Sequence, residues 1–165
     1  MKPAPTLDAV IAPGAEKTSL TPDDLVDRPD LFEHGALLEG GFEIREKLGE
    51  GGMGQVYDAY DRPLGRRVAL KFAWPEIDPA TLQAEAQMLA AIRHPSMVTV
   101  HALGSHRGRP FVVMERVYGV DLWTFLGRRQ RNGLPLSIAE TLDIALALAD
   151  ALGAVHRAGL VHRDL

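Results

Sequence analysis

The strongest constraint on the fold is a glycine-rich segment, residues 49–54, that lies between two stretches of alternating apolar and polar residues. Glycines at positions 49, 51 and 54 let backbone amides approach phosphate oxygens, because no Cβ stands in the way. The same spacing occurs in dinucleotide-binding folds, but there a helix must follow it. Here strand-forming residues follow from Val56, and no Gly-Lys-Ser/Thr ending of a P-loop is present. The segment therefore predicts a hairpin tip, either an ordinary glycine-rich turn or a phosphate-binding one.

A lysine inside an apolar run is the second informative feature. Lys71 follows Val-Ala-Leu, and an ammonium group in such a strand is costly unless it meets an anion. Glu85 falls on the apolar face of the next predicted helix, three residues after Leu82 and four before Leu89. The pattern predicts a Lys71–Glu85 pair close to bound phosphates. The alternative is a strand-edge lysine that reaches water, beside an unrelated surface glutamate.

Hydrophobic periodicity predicts a mixed α+β order. Strands are expected at residues 42–45, 56–60, 67–72, 97–103 and 111–116. A helix is expected from Pro79, after an Asp78 cap, to about Ile92, and a short one from Asp121 to about residue 126. A capping box at Ser137 opens a longer helix to about residue 158, which is apolar nearly all round and so expected to be buried on several sides. The order βββαββ predicts a mainly antiparallel sheet with one helix packed on it.

Composition separates residues 1–40 from the rest of the chain. The leader holds most of the acidic excess, contains recurrent prolines and shows no sustained apolar period, so it is predicted to be mostly unstructured. The whole chain is 46% hydrophobic, which is enough for a core, and it has no cysteine for disulfides or thiolate metal sites. No basic cluster indicates nucleic acid or an anionic membrane, and no apolar stretch has membrane length. A cytoplasmic protein is the expectation.

The last four residues, His162-Arg163-Asp164-Leu165, complete an ordered set of motifs with the glycine-rich segment, Lys71, Glu85 and the His94-Pro95 run. Together they resemble the eukaryotic-type serine/threonine protein kinases of bacteria, from residue 42 to residue 165. The resemblance implies the protein-kinase fold: a five-stranded antiparallel N-lobe with one regulatory helix at residues 41–117, and the first C-lobe helices at residues 118–165. It covers about the first half of such a domain.

The activity implied by this resemblance is ATP-dependent phosphorylation of serine or threonine hydroxyls on protein substrates. Lys71 would bind the α- and β-phosphates and be held by Glu85, and Asp164 would be the catalytic base. The other residues that the resemblance assigns to ATP binding are Leu48, Gly49, Glu50, Gly51, Gly52, Met53, Gly54, Val56, Ala69, Met114, Glu115, Val117 and Asp121.

Within that set the implied roles differ. Leu48, Val56 and Ala69 would enclose the adenine, and Met114 would be the gatekeeper behind it. Backbone groups of Glu115 and Val117 would bond the purine edge. Asp121 would bind the ribose hydroxyls, although a plain helix cap is the alternative.

The resemblance places the usual Mg²⁺ ligands past residue 165, so no metal ligand is expected within this chain. Two other hypotheses stay open. The chain could be a catalytically inactive ATP-binding or interaction module, or an unstable gene product. The apolar helix expected near residues 137–158 supports instability, because its surface would need the missing C-lobe or a partner for cover.

Overall fold

A computed structural model describes residues 29–161 of the chain. Residues 1–28 and 162–165, which include the predicted base Asp164, lie outside the described residues, and what was predicted for them stays a prediction. Five strands form one antiparallel sheet in the order β1-β2-β3-β5-β4. Their bounds are β1 Phe42–Gly51, β2 Gly54–Asp61, β3 Arg66–Ala73, β4 Val100–His106 and β5 Arg109–Glu115.

The two faces of the sheet are covered differently because side chains alternate along each strand. One face carries the main core, in which Tyr57, Phe72 and Phe111 are almost fully buried. The first helix, α1 (Pro79–Ala90), lies on the other face and packs Leu82 and Ala86 against strand residues that include Val112. Lys71 pairs with Val112 in the strand register, so the lysine projects on the face that α1 covers.

The glycine-rich segment forms the predicted hairpin tip. Glu50 pairs with Gln55 and Gly51 with Gly54, which closes the connection between β1 and β2. Gly54 has φ +153°, and a Cβ on it would lie 1.9 Å from the Phe72 carbonyl oxygen in β3. No side chain fits there, so Gly54 is required for the approach of two strands as well as for any phosphate site.

Two helices follow the sheet, α2 (Leu122–Arg131) and α3 (Ile138–Arg157). The predicted capping box of α3 is present, since Ser137 and Glu140 each accept from the other's backbone amide. The second helix, α2, runs five residues past its predicted end, and its last turn carries Arg128, Arg129 and Arg131, whose positive charges interact favourably with the helix dipole. Arg129 also ties that end to Glu140 at 2.8 Å.

The burial of α3 differs from the prediction. Within residues 29–161 only Ala151 and Val155 of this helix are buried, whereas Ile138 is 82% and Leu146 66% exposed. The sequence pattern predicted burial on several sides, but none of the described elements packs over the first turns of the helix. The apolar surface of α3 is therefore exposed among the described residues, and the need for a C-lobe or partner stays a prediction.

Other boundaries also differ from the sequence-based expectation, and β1 runs to Gly51 instead of residue 45 because its later residues stay paired with β2. Residues 29–40 were expected to be part of an unstructured leader, but Leu31, Phe32 and Leu38 pack against the main core. The fourth strand, β4, begins at Val100 rather than Met97, because the amides of Ser96 and Met97 donate to His94 and form a turn. In the part of the chain that the structure describes, no helix is long and apolar enough to cross a bilayer.

Candidate active site

A cavity of about 400 Å³ lies at the hairpin tip, on the face of the sheet that carries Lys71. It is lined by Leu48, Gly49, Glu50, Gly51, Gly52, Met53, Gly54, Val56 and Lys71. All nine were predicted from the sequence as ATP-binding residues. The remaining predicted residues, Ala69, Met114, Glu115, Val117 and Asp121, do not line this cavity.

The lysine and the glutamate meet as the sequence pattern predicted. Lys71 Nζ lies 2.6 Å from Glu85 Oε1, so α1 holds the ammonium group at the wall of the cavity. Glu85 Oε2 is buried and accepts no hydrogen bond within residues 29–161. A buried carboxylate oxygen without a donor is costly, which is typical of a site that is completed by a bound group or a further segment.

The glycine positions fit a phosphate chain. At Gly49, Gly51 and Gly52 an added Cβ would meet no atom within 4 Å, so the backbone faces open space. Backbone amides can approach an anion there without obstruction. The open glycine backbone and the lysine ammonium together make a site suited to ATP phosphates, and Glu85 holds the ammonium in place.

The sequence interpretation missed the anchor at the end of this loop. Trp74, the residue after β3, is buried; its indole Nε1 donates to the Gly51 carbonyl at 2.8 Å, and its backbone amide donates to the Met53 carbonyl at 3.1 Å. The signal was a tryptophan at the end of an apolar strand, since a buried indole N–H usually requires an acceptor. Trp74 thus ties the glycine-rich tip to β3.

Residues 115–117, here called the hinge, lie at and directly after the end of β5 and carry the backbone groups that the resemblance assigns to the purine edge. Met114 pairs with Ala69 in the register, which places the two predicted adenine contacts side by side. The Glu115 amide donates to the Thr99 carbonyl at 2.8 Å. The Val117 amide finds no acceptor within residues 29–161, whereas the Val117 carbonyl accepts from the Arg116 guanidinium. A free amide at this position is what the predicted purine contact would need.

A buried carboxylate ties the hinge to the sheet. Asp58 of β2 is 0% exposed and accepts from Arg67 at 2.6 Å and from Arg116 at 2.7 Å. Burial alone would raise the pKa of Asp58, but hydrogen bonds and charge from the two guanidinium groups outweigh it and lower the pKa below the usual aspartate value. The carboxylate stays ionised and holds the first hinge side chain against the sheet.

We expect Asp58→Asn to lower the free energy of unfolding by about 2–4 kcal/mol near neutral pH, because it leaves two guanidinium groups without their counter-ion. The folded-state pKa is depressed, so this stabilisation is full above about pH 5 and is lost as the pH falls through the folded-state value. Urea unfolding between acidic and neutral pH measures the difference between the two proteins. The difference in free energy of unfolding between the unaltered protein and Asp58→Asn should shrink on acidification. The control Asp150→Asn removes an exposed carboxylate and should cost under about 1 kcal/mol; an equal loss in both variants would contradict the role of Asp58.

Asp121 serves as a helix cap. Its Oδ1 accepts from the Thr124 amide and its Oδ2 from the Thr124 hydroxyl, both at 2.7 Å, at the start of α2. These bonds lower the pKa of Asp121. The cap was the alternative interpretation of this residue, and its predicted contact with ribose stays a prediction.

Metal ligands were expected outside this chain. Among residues 29–161 no group of three or more His, Cys, Asp or Glu side chains is arranged to hold a metal ion. The described residues therefore do not hold a Mg²⁺ ion by themselves, and the ligands that the resemblance places past residue 165 stay a prediction.

The sheet order, the single packed helix and the lysine–glutamate pair are those of a protein-kinase N-lobe. Residues 42–165 match the family model described as protein kinase domain, and the chain belongs to that family. It is 39% identical to the serine/threonine-protein kinase PknA of Mycobacterium tuberculosis over 141 residues, which are 79% of this chain and 32% of PknA. It is 43% identical over 136 residues to the DNA damage-responsive serine/threonine-protein kinase RqkA of Deinococcus radiodurans, which are 79% of this chain and 20% of RqkA.

Solved structures agree on the fold. A crystal structure of the M. tuberculosis PknI kinase domain matches with a TM-score of 0.67 and 29% identity, over 81% of this chain and 55% of that chain. The apo form of PpkA-294 matches with a TM-score of 0.70 and 25% identity, over 81% of this chain and 54% of that one. The chain thus spans slightly more than half of these solved chains and a fifth to a third of these two curated relatives. These matches confirm the predicted kinase fold and its partial extent.

Proposed function

We propose that this chain supplies the ATP-binding part of a serine/threonine protein kinase, which transfers the γ-phosphate of ATP to protein hydroxyl groups. The observation that carries the proposal is the Lys71–Glu85 contact of 2.6 Å at the wall of the glycine-lined cavity. A lysine held by a helix glutamate beside open glycine amides favours a nucleoside triphosphate over an uncharged ligand.

Each part of the chain has a definite task in this proposal. Lys71 binds the α- and β-phosphates, and Glu85 keeps its ammonium group oriented. The backbone of the glycine-rich tip donates to the phosphate oxygens, and Leu48 and Val56 cover the adenine. The Val117 amide donates to the purine edge. Mg²⁺, which kinases use to neutralise phosphate charge, would require ligands outside residues 29–161.

Asp164 is proposed as the base that orients and deprotonates the substrate hydroxyl. The support is the His-Arg-Asp-Leu motif alone, because Asp164 lies outside the described residues.

A second candidate, a nucleotide-binding module without transfer activity, is favoured by the exposed apolar surface of α3. That surface is suited to contact with another polypeptide, and such a module would bind ATP without acting on a protein substrate.

Phosphate transfer from γ-labelled ATP to a generic protein substrate separates these functions. The 165-residue chain and a polypeptide that continues past Leu165 are assayed in separate, parallel reactions, and the Lys71→Met variant of each is assayed alongside. We expect the longer polypeptide to transfer phosphate. Its Lys71→Met variant should transfer phosphate at a rate lower by roughly a hundredfold. Binding of ATP by both polypeptides without transfer by either would support the module instead.

A further inference from the structure

Residues 29–38, here called the strap, cover the face of the sheet opposite the cavity. Leu31, Phe32 and Ala36 pack on the main core, and Leu38 is buried in it. The Phe32 ring lies 4.8 Å from the Phe72 ring, between centroids. The strap is therefore a packed layer of the sheet, although it contains no helix and no named strand.

Gln55 connects the strap to the glycine-rich tip. Its side chain is 0% exposed, and its amide oxygen accepts from the Leu31 amide at 3.1 Å and from the Tyr57 hydroxyl at 2.7 Å. Its amide nitrogen donates to the Pro29 carbonyl at 3.3 Å and to Glu50 Oε2 at 3.1 Å. All four hydrogen-bonding positions of the Gln55 amide are used, two of them toward the strap and one toward a residue that lines the cavity.

A second bridge runs parallel to the first. Lys47 Nζ lies 2.5 Å from Asp30 of the strap and 3.3 Å from Glu50. The hydrogen bond from Gln55 and the nearby ammonium of Lys47 lower the pKa of Glu50, which keeps that carboxylate ionised. Glu50 is thus held from the strap side by both Gln55 and Lys47.

The other end of the tip is already fixed. Trp74 binds the carbonyls of Gly51 and Met53 and ties them to β3. Gly49 and Gly52 flank these attachments; an added Cβ at either would meet no atom within 4 Å, and glycine carries the largest conformational freedom of any residue. The bonds from Gln55 and Lys47 to Glu50 are therefore the contacts through which the strap can set the position of the tip.

We propose that the strap is a positioning element for the phosphate-binding loop, with Gln55 and Lys47 as positioning residues that hold Glu50. The inference rests on the proposed function for its effect on ATP, but not for its effect on the loop itself. A pre-ordered loop loses less conformational freedom when it closes on phosphates, so an attached strap raises affinity for a nucleoside triphosphate. Release of the strap would weaken binding of the phosphates selectively and leave the nucleoside contacts intact.

The test uses the full 165-residue chain with two variants that weaken the attachment. Gln55→Met removes the hydrogen bonds at similar volume, and Asp30→Asn weakens the exposed contact with Lys47 without disturbing the core. Phe42→Ala is the control, because Phe42 packs on the same core from β1, and its backbone carbonyl, which accepts from the Leu38 amide of the strap at 2.8 Å, is kept in the variant. Hydrogen exchange of residues 49–54 and titrations with ATP and with adenosine are compared.

We expect amide exchange at residues 49–54 to rise roughly tenfold in Gln55→Met and less in Asp30→Asn. The Kd for ATP should rise roughly fivefold in Gln55→Met while the Kd for adenosine changes by less than about twofold. Phe42→Ala should change the Kd for ATP and the Kd for adenosine by similar factors. Unchanged loop exchange in both variants, or an equal shift of both ligands, would overturn the proposal. If the unaltered chain binds neither ligand, the proposed function fails, and loop exchange alone decides the role of the strap.

Discussion

Replacement of Lys71 by methionine should weaken ATP binding by about 2–3 kcal/mol, or roughly 30- to 150-fold in Kd, because a charged hydrogen-bond donor is lost from the cavity wall. The side chain has similar length, so the strand pairing of β3 with β2 and β5 should persist. The Glu85 carboxylate would lose its partner at 2.6 Å and become a source of repulsion for phosphates. Calorimetric titration of ATP into the 165-residue chain measures the change.

The matched control is Arg128→Met, which removes an equal charge from the exposed C-terminal turn of α2 and does not line the cavity. It should leave the Kd for ATP within about twofold of the unaltered value. Glu85→Gln should fall between the two variants, because the amide still contacts Lys71 but carries no charge. Equal ATP affinity in the Lys71→Met variant and the unaltered chain would show that the lysine is not a phosphate ligand.

The second large effect is structural. Gly54→Val should lower the free energy of unfolding by about 3 kcal/mol or more, because its Cβ would have to occupy space 1.9 Å from the Phe72 carbonyl oxygen. The backbone at φ +153° is also one that a β-branched residue rarely adopts. Urea unfolding, monitored by far-ultraviolet circular dichroism, measures the loss of stability.

Gly52→Ala provides the comparison within the same loop. An added Cβ at Gly52 meets no atom within 4 Å, so the stability should change by less than about 0.5 kcal/mol. Its effect should appear in ATP affinity instead, because the methyl group enters the space that phosphates would use. Comparable destabilisation by both substitutions would contradict the view that Gly54 serves strand approach and Gly52 serves the cavity.

The sequence predicted those features whose residues would be energetically unfavourable without a nearby partner. Lys71 in an apolar strand and Glu85 on an apolar helix face each required a partner, and the short connection between strand and helix favoured their pairing. The glycine-rich tip was predictable as a hairpin because strand-forming residues flank it. The capping box at Ser137 carries its own start signal.

The features that the sequence did not predict depend on contacts between distant segments. Asp58 and Arg116 are 58 residues apart, and Pro29 and Gln55 are 26 apart. Hydrophobic periodicity describes which face a residue occupies and carries no information on which distant segment will lie there. The strap shows the same limit: its composition predicted an unstructured leader, yet its apolar side chains pack on the main core and its backbone pairs with β1 at Ile44.

The most direct test of the central claim, that the glycine-lined cavity binds ATP, is a hydrogen-exchange footprint of the 165-residue chain with and without saturating ATP. We expect slower exchange at residues 48–56 and at residues 114–117, and much less slowing in the Lys71→Met variant at the same ATP concentration. Slowing confined to other parts of the chain, or the same slowing in the Lys71→Met variant, would contradict that claim.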